Sequence, residues 1–197
     1  MKTQETYTWS NWSGFQQAHP QHILHPENVL ELQHIVQSHP KIRVVGAGHS
    51  FTPLVCTDAT LVSLNQISGV ASSDTAHSRC SIYAGTRLYN LDQYLEPINQ
   101  ALMNQGDIDQ QSLAGAVSTG THGTGADLHC ISAYVEDFEL LTAAGEILNC
   151  SRTENPEIFA AGRVSLGSLG ILTKITMQNR PRFKLKEHIQ LCTVADM

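Results

Sequence analysis

Apolar residues recur with two different periods along this chain, and the changes between them mark its elements. Val29, Leu32 and Val36 are three and four apart, which predicts a helix over residues 26–38 with Pro26 at its start. His39-Pro40 ends it, because a residue before proline is pushed out of the helical region. Residues 42–45 and 60–64 are short apolar runs of strand length, so this part predicts a small β-α-β lobe. Residues 80–84 predict a strand that opens a second lobe. Leu88, Leu91, Leu95 and Ile98 then give one apolar face to a helix over 87–100, which Pro97 stops early or kinks. Ser112 is placed to cap a short helix from Leu113, aiming the positive end of its dipole at a phosphate. Residues 134–142 and 146–150 flank Ala144-Gly145 as a hairpin. A short helix over 157–163 follows, then a strand over 170–177 with Ile171, Ile175 and Met177 on one face, and an extended segment over 183–194. The fold class is α+β: the small lobe plus a larger lobe built on a mixed or antiparallel sheet with flanking helices. No internal repeat or low-complexity linker interrupts it.

Two glycine-rich stretches punctuate these elements. The first is Val44-Val45-Gly46-Ala47-Gly48-His49-Ser50-Phe51. The second is Ser112-Leu113-Ala114-Gly115-Ala116-Val117-Ser118-Thr119-Gly120-Thr121-His122-Gly123-Thr124-Gly125, with no Lys, Arg, Asp or Glu in it. A loop that cradles phosphate with its backbone N–H groups needs glycine, because a Cβ blocks close approach. Small hydroxyl residues add neutral donors. Each stretch alone is a weak signal: Gly46-x-Gly48 lacks the third glycine of the dinucleotide fingerprint, and no Gly-Lys-Ser/Thr is present. A tight strand-to-loop turn is the alternative for the first, and a helix-packing segment for the second. Together they point to a large phosphorylated cofactor held from both ends.

Composition narrows the setting. A length of 197 residues allows one ordinary domain or two small lobes sharing an interface. Hydrophobic residues at 41% with charged residues at 15% describe a globular chain. A net charge of -6 without a basic run argues against nucleic acid and an anionic membrane surface, so phosphate must be met by local backbone dipoles. The five cysteines, at 56, 80, 130, 150 and 192, form no CxxC and suggest neither a disulfide framework nor a zinc ribbon. The first six residues carry no apolar signal region and no run approaches a membrane span, so the cytoplasm is the expected location. His19, His22 and His25 lack an accompanying carboxylate cluster; a solvated segment leading into the first helix is expected there, not a metal site.

The strings Asn11-Trp12-Ser13-Gly14, His25-Pro26-Glu27, Gly46-Ala47-Gly48-His49-Ser50-Phe51, Leu113 to Gly123, and Ser165-Leu166-Gly167-Ser168-Leu169-Gly170-Ile171 together span nearly the whole sequence. They resemble the PCMH-type FAD-binding domain of the vanillyl-alcohol-oxidase-like flavoproteins. Within these the resemblance is to the sugar-lactone and alditol oxidase branch, which includes gulonolactone, arabinonolactone and alditol oxidases. It implies a two-lobed FAD-binding domain over 1–182, with lobes of about 1–66 and 67–182. Residues 183–197 would begin a substrate domain that is otherwise missing, as in a truncated gene product.

Position by position, the resemblance implies that Val44, Val45, Gly46, Ala47, Gly48, His49 and Ser50 wrap the pyrophosphate and reach toward the flavin ring. Asp107, Ser112, Gly115, Ala116, Val117 and Ser118 would line the cofactor from the other lobe, and Ile171 would bond it through its backbone. Asp107 departs from the serine common in relatives. His122 matches a Thr-His-Gly motif, with a buried structural histidine as the alternative. His49 stands where relatives attach the flavin covalently through its 8α-methyl carbon; a histidine that merely caps the loop is the alternative. A second bond through cysteine near Gly106, as in berberine-bridge-like relatives, is excluded, since no cysteine lies between Cys80 and Cys130. Gly106 itself stands where dehydrogenase relatives carry alanine, and is expected to open a path for O₂. The implied activity is oxidation of a sugar lactone or polyol at a CH–OH group with O₂ as acceptor. No catalytic base is identifiable in residues 1–197, so the fragment is expected to be inactive by itself. A standalone flavin-binding module serving a partner chain, and an apo relic with collapsed loops, remain as alternatives.

Overall fold

In the computed structural model, which describes residues 7–196, the chain opens with a two-residue ladder. Here β1 (Trp9–Ser10) pairs with β2 (Gln17–Ala18) and closes a turn over residues 11–16. The first lobe follows as β3 (His22–Leu24), α1 (Val29–Ser38), β4 (Ile42–Val45) and β5 (Thr60–Ser63). Its three strands form a parallel sheet in the order β3-β5-β4, the crossover being made by α1. The β-α-β unit is therefore β3-α1-β4 with β5 between the two strands. Residues 22–24, expected to be a solvated lead-in, are an edge strand, with His22 opposite Thr60. Three half-exposed residues leave no periodic trace, which is why the pattern missed them.

The first helix also starts later than the apolar spacing suggested. Asn28 is extended, and its side chain accepts from the Glu31 N–H at 3.0 Å. The Glu31 carboxylate in turn accepts from the Glu27 N–H at 2.9 Å. These reciprocal caps satisfy end donors that the helix cannot, so Pro26 stays outside it.

The second lobe contains β6 (Val70–Asp74), β7 (Arg79–Tyr83), α2 (Leu91–Leu95), β8 (Gln100–Leu102), α3 (Leu113–Ser118), β9 (Val135–Leu141), β10 (Ile147–Ser151), α4 (Pro156–Gly162) and β11 (Ile171–Pro181). Its sheet runs β10-β9-β11-β7-β6 and is antiparallel throughout, with β8 joining the C-terminal end of β11. The expected helix over 87–100 is broken. Residues 88–90 and 96–98 are single 3₁₀ turns around the five-residue α2, and Gln100 already belongs to β8. Pro97 has no N–H for the helical ladder, and Asn99 takes a left-handed conformation at φ 55°, which turns the chain. Leu88, Leu91 and Leu95 are nevertheless all buried, so the spacing identified the right face.

One continuous core joins the lobes. Leu32, Val62 and Leu64 from the first pack with Leu113, Ala116 and Val117 of α3, and with Phe138, Ile175 and Met177 of the large sheet. Beyond β11 the Arg182 N–H donates to the Asn99 carbonyl, and residues 183–192 run exposed and form no strand. The expected extended segment is followed by a 3₁₀ turn at Val194–Asp196.

Candidate cofactor-binding site

β4 delivers the first glycine loop to the junction of the lobes, and α3 delivers the second. Between them lies a cleft. The first loop contributes Val44, Val45, Gly46, Ala47, Gly48, His49 and Ser50 to its wall; the second contributes Ser112, Gly115 and Ser118. Ile171, at the start of β11, closes one side. Among the described residues lining this cleft there is no Asp, Glu, Lys or Arg, and His49 is the one titratable group.

The two loops touch. A Cβ built on Gly46 would lie 2.5 Å from Ser112 Oγ, so the glycine is needed for the approach itself. Gly48 has φ +69°, and its missing side chain faces the Trp9 ring. The backbone N–H groups of Ala47, Gly48, His49 and Ser50 have no hydrogen-bond partner among the described residues. Successive unpaired N–H groups in a loop closely packed at Gly46 and Gly48 fit a phosphorylated ligand such as FAD.

α3 works differently from expectation. Ser112 does cap it, its hydroxyl accepting from the Gly115 N–H at 3.2 Å. The next donors are also occupied: Leu113 N–H donates to Thr86 O at 2.8 Å and Ala114 N–H to Ala84 O at 3.1 Å. The start of α3 is therefore stitched to the segment just after β7, and its first-turn N–H groups are already paired. Among the described residues, the first loop lines the cleft with unpartnered main-chain donors.

Not every expected residue reaches the cleft. The Ala116 and Val117 side chains point into the core. Asp107 and His122 are exposed and lie outside the cleft wall; His122 Nδ1 sits 2.9 Å from the Gly123 carbonyl. The exposure removes the alternative of a buried structural histidine. Gly106 packs against Thr121 and His122, beside the second loop.

Other residues in the wall carried no sequence signal. Gly85 is one: a Cβ there would stand 1.8 Å from the Leu64 carbonyl oxygen, so backbone lies directly on backbone where the lobes join. Asn65, which accepts from the Arg87 guanidinium at 2.7 Å, is another. A second hollow adjoins the first and shares Val44, Leu54, Leu166 and Ile171 with it. It runs past His39 and Arg43 to the β9–β10 turn, lengthening the channel for an elongated ligand.

A two-lobed α+β architecture with an uncharged cleft between glycine loops is that of a flavin-binding domain. Residues 20–151 match the FAD binding domain family, and the chain belongs to it. Its relatives include an L-gulono-1,4-lactone dehydrogenase from Mycobacterium tuberculosis, 37% identical over 95% of this chain and 44% of the relative. An L-gulonolactone oxidase from Scyliorhinus torazame is 35% identical over 93% of this chain and 42% of its own length. A D-arabinono-1,4-lactone oxidase from Candida albicans is also 35% identical, over 90% and 35%. The chain thus spans less than half the length of these curated relatives.

Proposed function

We propose that this chain is the cofactor-holding part of an FAD-dependent oxidase that acts on a sugar lactone or alditol at a CH–OH group. The observation that carries the reading is the contact between Gly46 and Ser112 across a cleft lined by no charged residue. The names of the relatives support the substrate class. FAD, when bound, supplies the hydride-accepting chemistry. The first loop offers its N–H groups to the pyrophosphate, Ser118 and the Gly115 backbone flank the cofactor from the second lobe, and Ile171 offers backbone contacts. His49 forms a single covalent bond to the flavin through the 8α-carbon, and Gly106, without a Cβ, admits O₂. Residues 1–182 make up the FAD-binding domain, with 183–197 leading into the substrate-binding part. The five cysteines are unpaired, which supports a cytoplasmic location. Among the described residues no helix is long and apolar enough to cross a membrane.

A second reading, a flavin-binding module without turnover of its own, is favoured by one feature. Besides His49, the cleft wall has no side chain suited to take the proton from a substrate hydroxyl. The two readings separate in one experiment. The product of the complete reading frame is loaded with FAD and mixed without oxygen with L-gulono-1,4-lactone, D-arabinono-1,4-lactone or an alditol. Bleaching of the flavin by any of these, followed by peroxide formation on admitting air, supports the oxidase. Bound flavin that stays oxidised supports the module, and failure to bind FAD refutes both.

A further inference from the structure

The turn over residues 11–16 lies before the matched family region, yet it grips the first glycine loop along its length. Four consecutive loop carbonyls accept from it. Trp12 N–H donates to Gly48 O at 3.1 Å, Trp12 Nε1–H to His49 O at 3.2 Å, Asn11 Nδ2 to Ser50 O at 3.0 Å, and Gln16 Nε2 to Phe51 O at 2.9 Å. The Trp12 indole also stacks on the His49 imidazole, with centroids 5.2 Å apart and planes 16° from parallel, and meets Phe51 edge-on. Trp12 is 58% exposed, so burial does not account for its position.

We propose that this turn is a positioning element of the cofactor site, in which Trp12 sets the orientation of His49 toward the flavin. The inference rests on the proposed FAD-binding role of the loop. Carbonyl oxygens left free beside a pyrophosphate would repel it; tying those of residues 48–51 to the turn draws their negative ends away while the loop N–H groups stay available. Trp12 holds His49 at both its main-chain carbonyl and its ring, which limits the rotamers the imidazole can adopt. A nucleophile attacks only from a narrow range of positions, so a fixed ring favours the bond to the 8α-carbon. That bond balances as follows: a methyl C–H and the imidazole N–H give way to one C–N bond, and the two hydrogens leave with two electrons to dioxygen as hydrogen peroxide.

The test uses the whole chain with Trp12→Leu and Trp12→Phe. Three quantities are read: the ring-current shift of the His49 Cε1–H resonance, the affinity for FAD, and the share of flavin that stays with the protein after denaturation. Trp12→Leu should abolish the shift, weaken FAD binding about tenfold and lower the retained flavin by a similar factor. Its melting temperature should stay near that of the parent. Trp12→Phe keeps a stacking ring but loses the indole donor; it should retain most of the shift, with affinity reduced about fivefold. A parent protein without the ring-current shift overturns the proposal, as does either variant if it folds and matches the parent in affinity and retention. If the parent binds no FAD, the cofactor reading fails and this one with it. If parent and variants bind and retain FAD equally, only the positioning role fails.

Discussion

A side-chain carbon on Gly46 would stand 2.5 Å from Ser112 Oγ, and the same Ser112 oxygen accepts from the Gly115 N–H to cap α3. One hydroxyl therefore sets both the distance between the lobes at the cleft and the start of the helix behind it. Gly46→Ala should displace Ser112, destabilise the protein by about 1–3 kcal/mol through overpacking, and weaken FAD binding. Ser112→Ala should cost about 1 kcal/mol through the lost cap. Combined, the two changes should cost less than their sum, because removing the hydroxyl also removes the clash. Denaturant unfolding of the four proteins measures this, and strict additivity would show that the loops do not meet at this point.

Gly85 tests the lobe junction away from the loops. Its missing Cβ would meet the Leu64 carbonyl oxygen at 1.8 Å and the Ile67 carbonyl oxygen at 2.8 Å, and neither is a flexible side chain. Gly85→Ala can be accommodated only by separating the lobes. It should lower the melting temperature more than Gly46→Ala does and open the cleft. Gly14→Ala, at φ +73° with open space around it, should cost only about 1 kcal/mol of backbone strain. Thermal melts of the three variants give the order, and a Gly85 variant as stable as the parent would contradict the junction.

The residues of the site that were legible in the sequence are those whose conformation excludes most side chains. Gly46 and Gly48 leave a trace because close approach and positive φ restrict the letter. The apolar face of residues 88–98 was legible for the same kind of reason, though its helix length was not, since Pro97 and Asn99 act locally. β6 was missed because its Val-Ala-Ser-Ser-Asp run is a largely exposed edge with a single half-buried apolar side chain at Val70. The grip of residues 11–16 on 48–51 was illegible in physical terms. Its acceptors are main-chain carbonyls, which every residue has, and its donors are more than thirty residues away.

The role proposed for Gly106 concerns the electron acceptor, and the relatives' names include both a dehydrogenase and an oxidase. A Cβ there would meet Thr121 Cγ2 at 3.2 Å and the His122 carbonyl oxygen at 3.4 Å, tight but tolerable with a small shift. Gly106→Ala should therefore fold and bind FAD while slowing reoxidation of photoreduced flavin by O₂ by about tenfold, or roughly 1.4 kcal/mol of barrier. Stopped-flow mixing with oxygenated buffer measures the rate. Equal rates in the two proteins would remove Gly106 from the oxygen path and leave the acceptor to be set elsewhere.

The buried cysteines give a pH-dependent prediction. Cys80 lies in β7 opposite Met177, and burial pushes its thiol from an ordinary value near 9 up to about 11. Cys150, opposite Phe138 in β10, is also raised, by burial first and then by the negative Glu154. At pH 8 Cys80 should react with iodoacetamide far more slowly than the exposed Cys192, because it is buried and its thiolate, the nucleophile, is disfavoured. Mass spectrometry of the labelled protein resolves the sites. The sign of the stability effect follows from the same shift. Below about pH 9 the thiol is protonated in both states, and its contribution is fully present. Between 9 and 11 the unfolded chain gives up the proton first, so unfolding is favoured and stability is lost as pH rises. The parent protein should thus lose more melting temperature between pH 8 and pH 10.5 than Cys80→Ala does. Equal losses would mean that the Cys80 thiol reaches water in the folded state, and the packing of β7 against β11 would need revision.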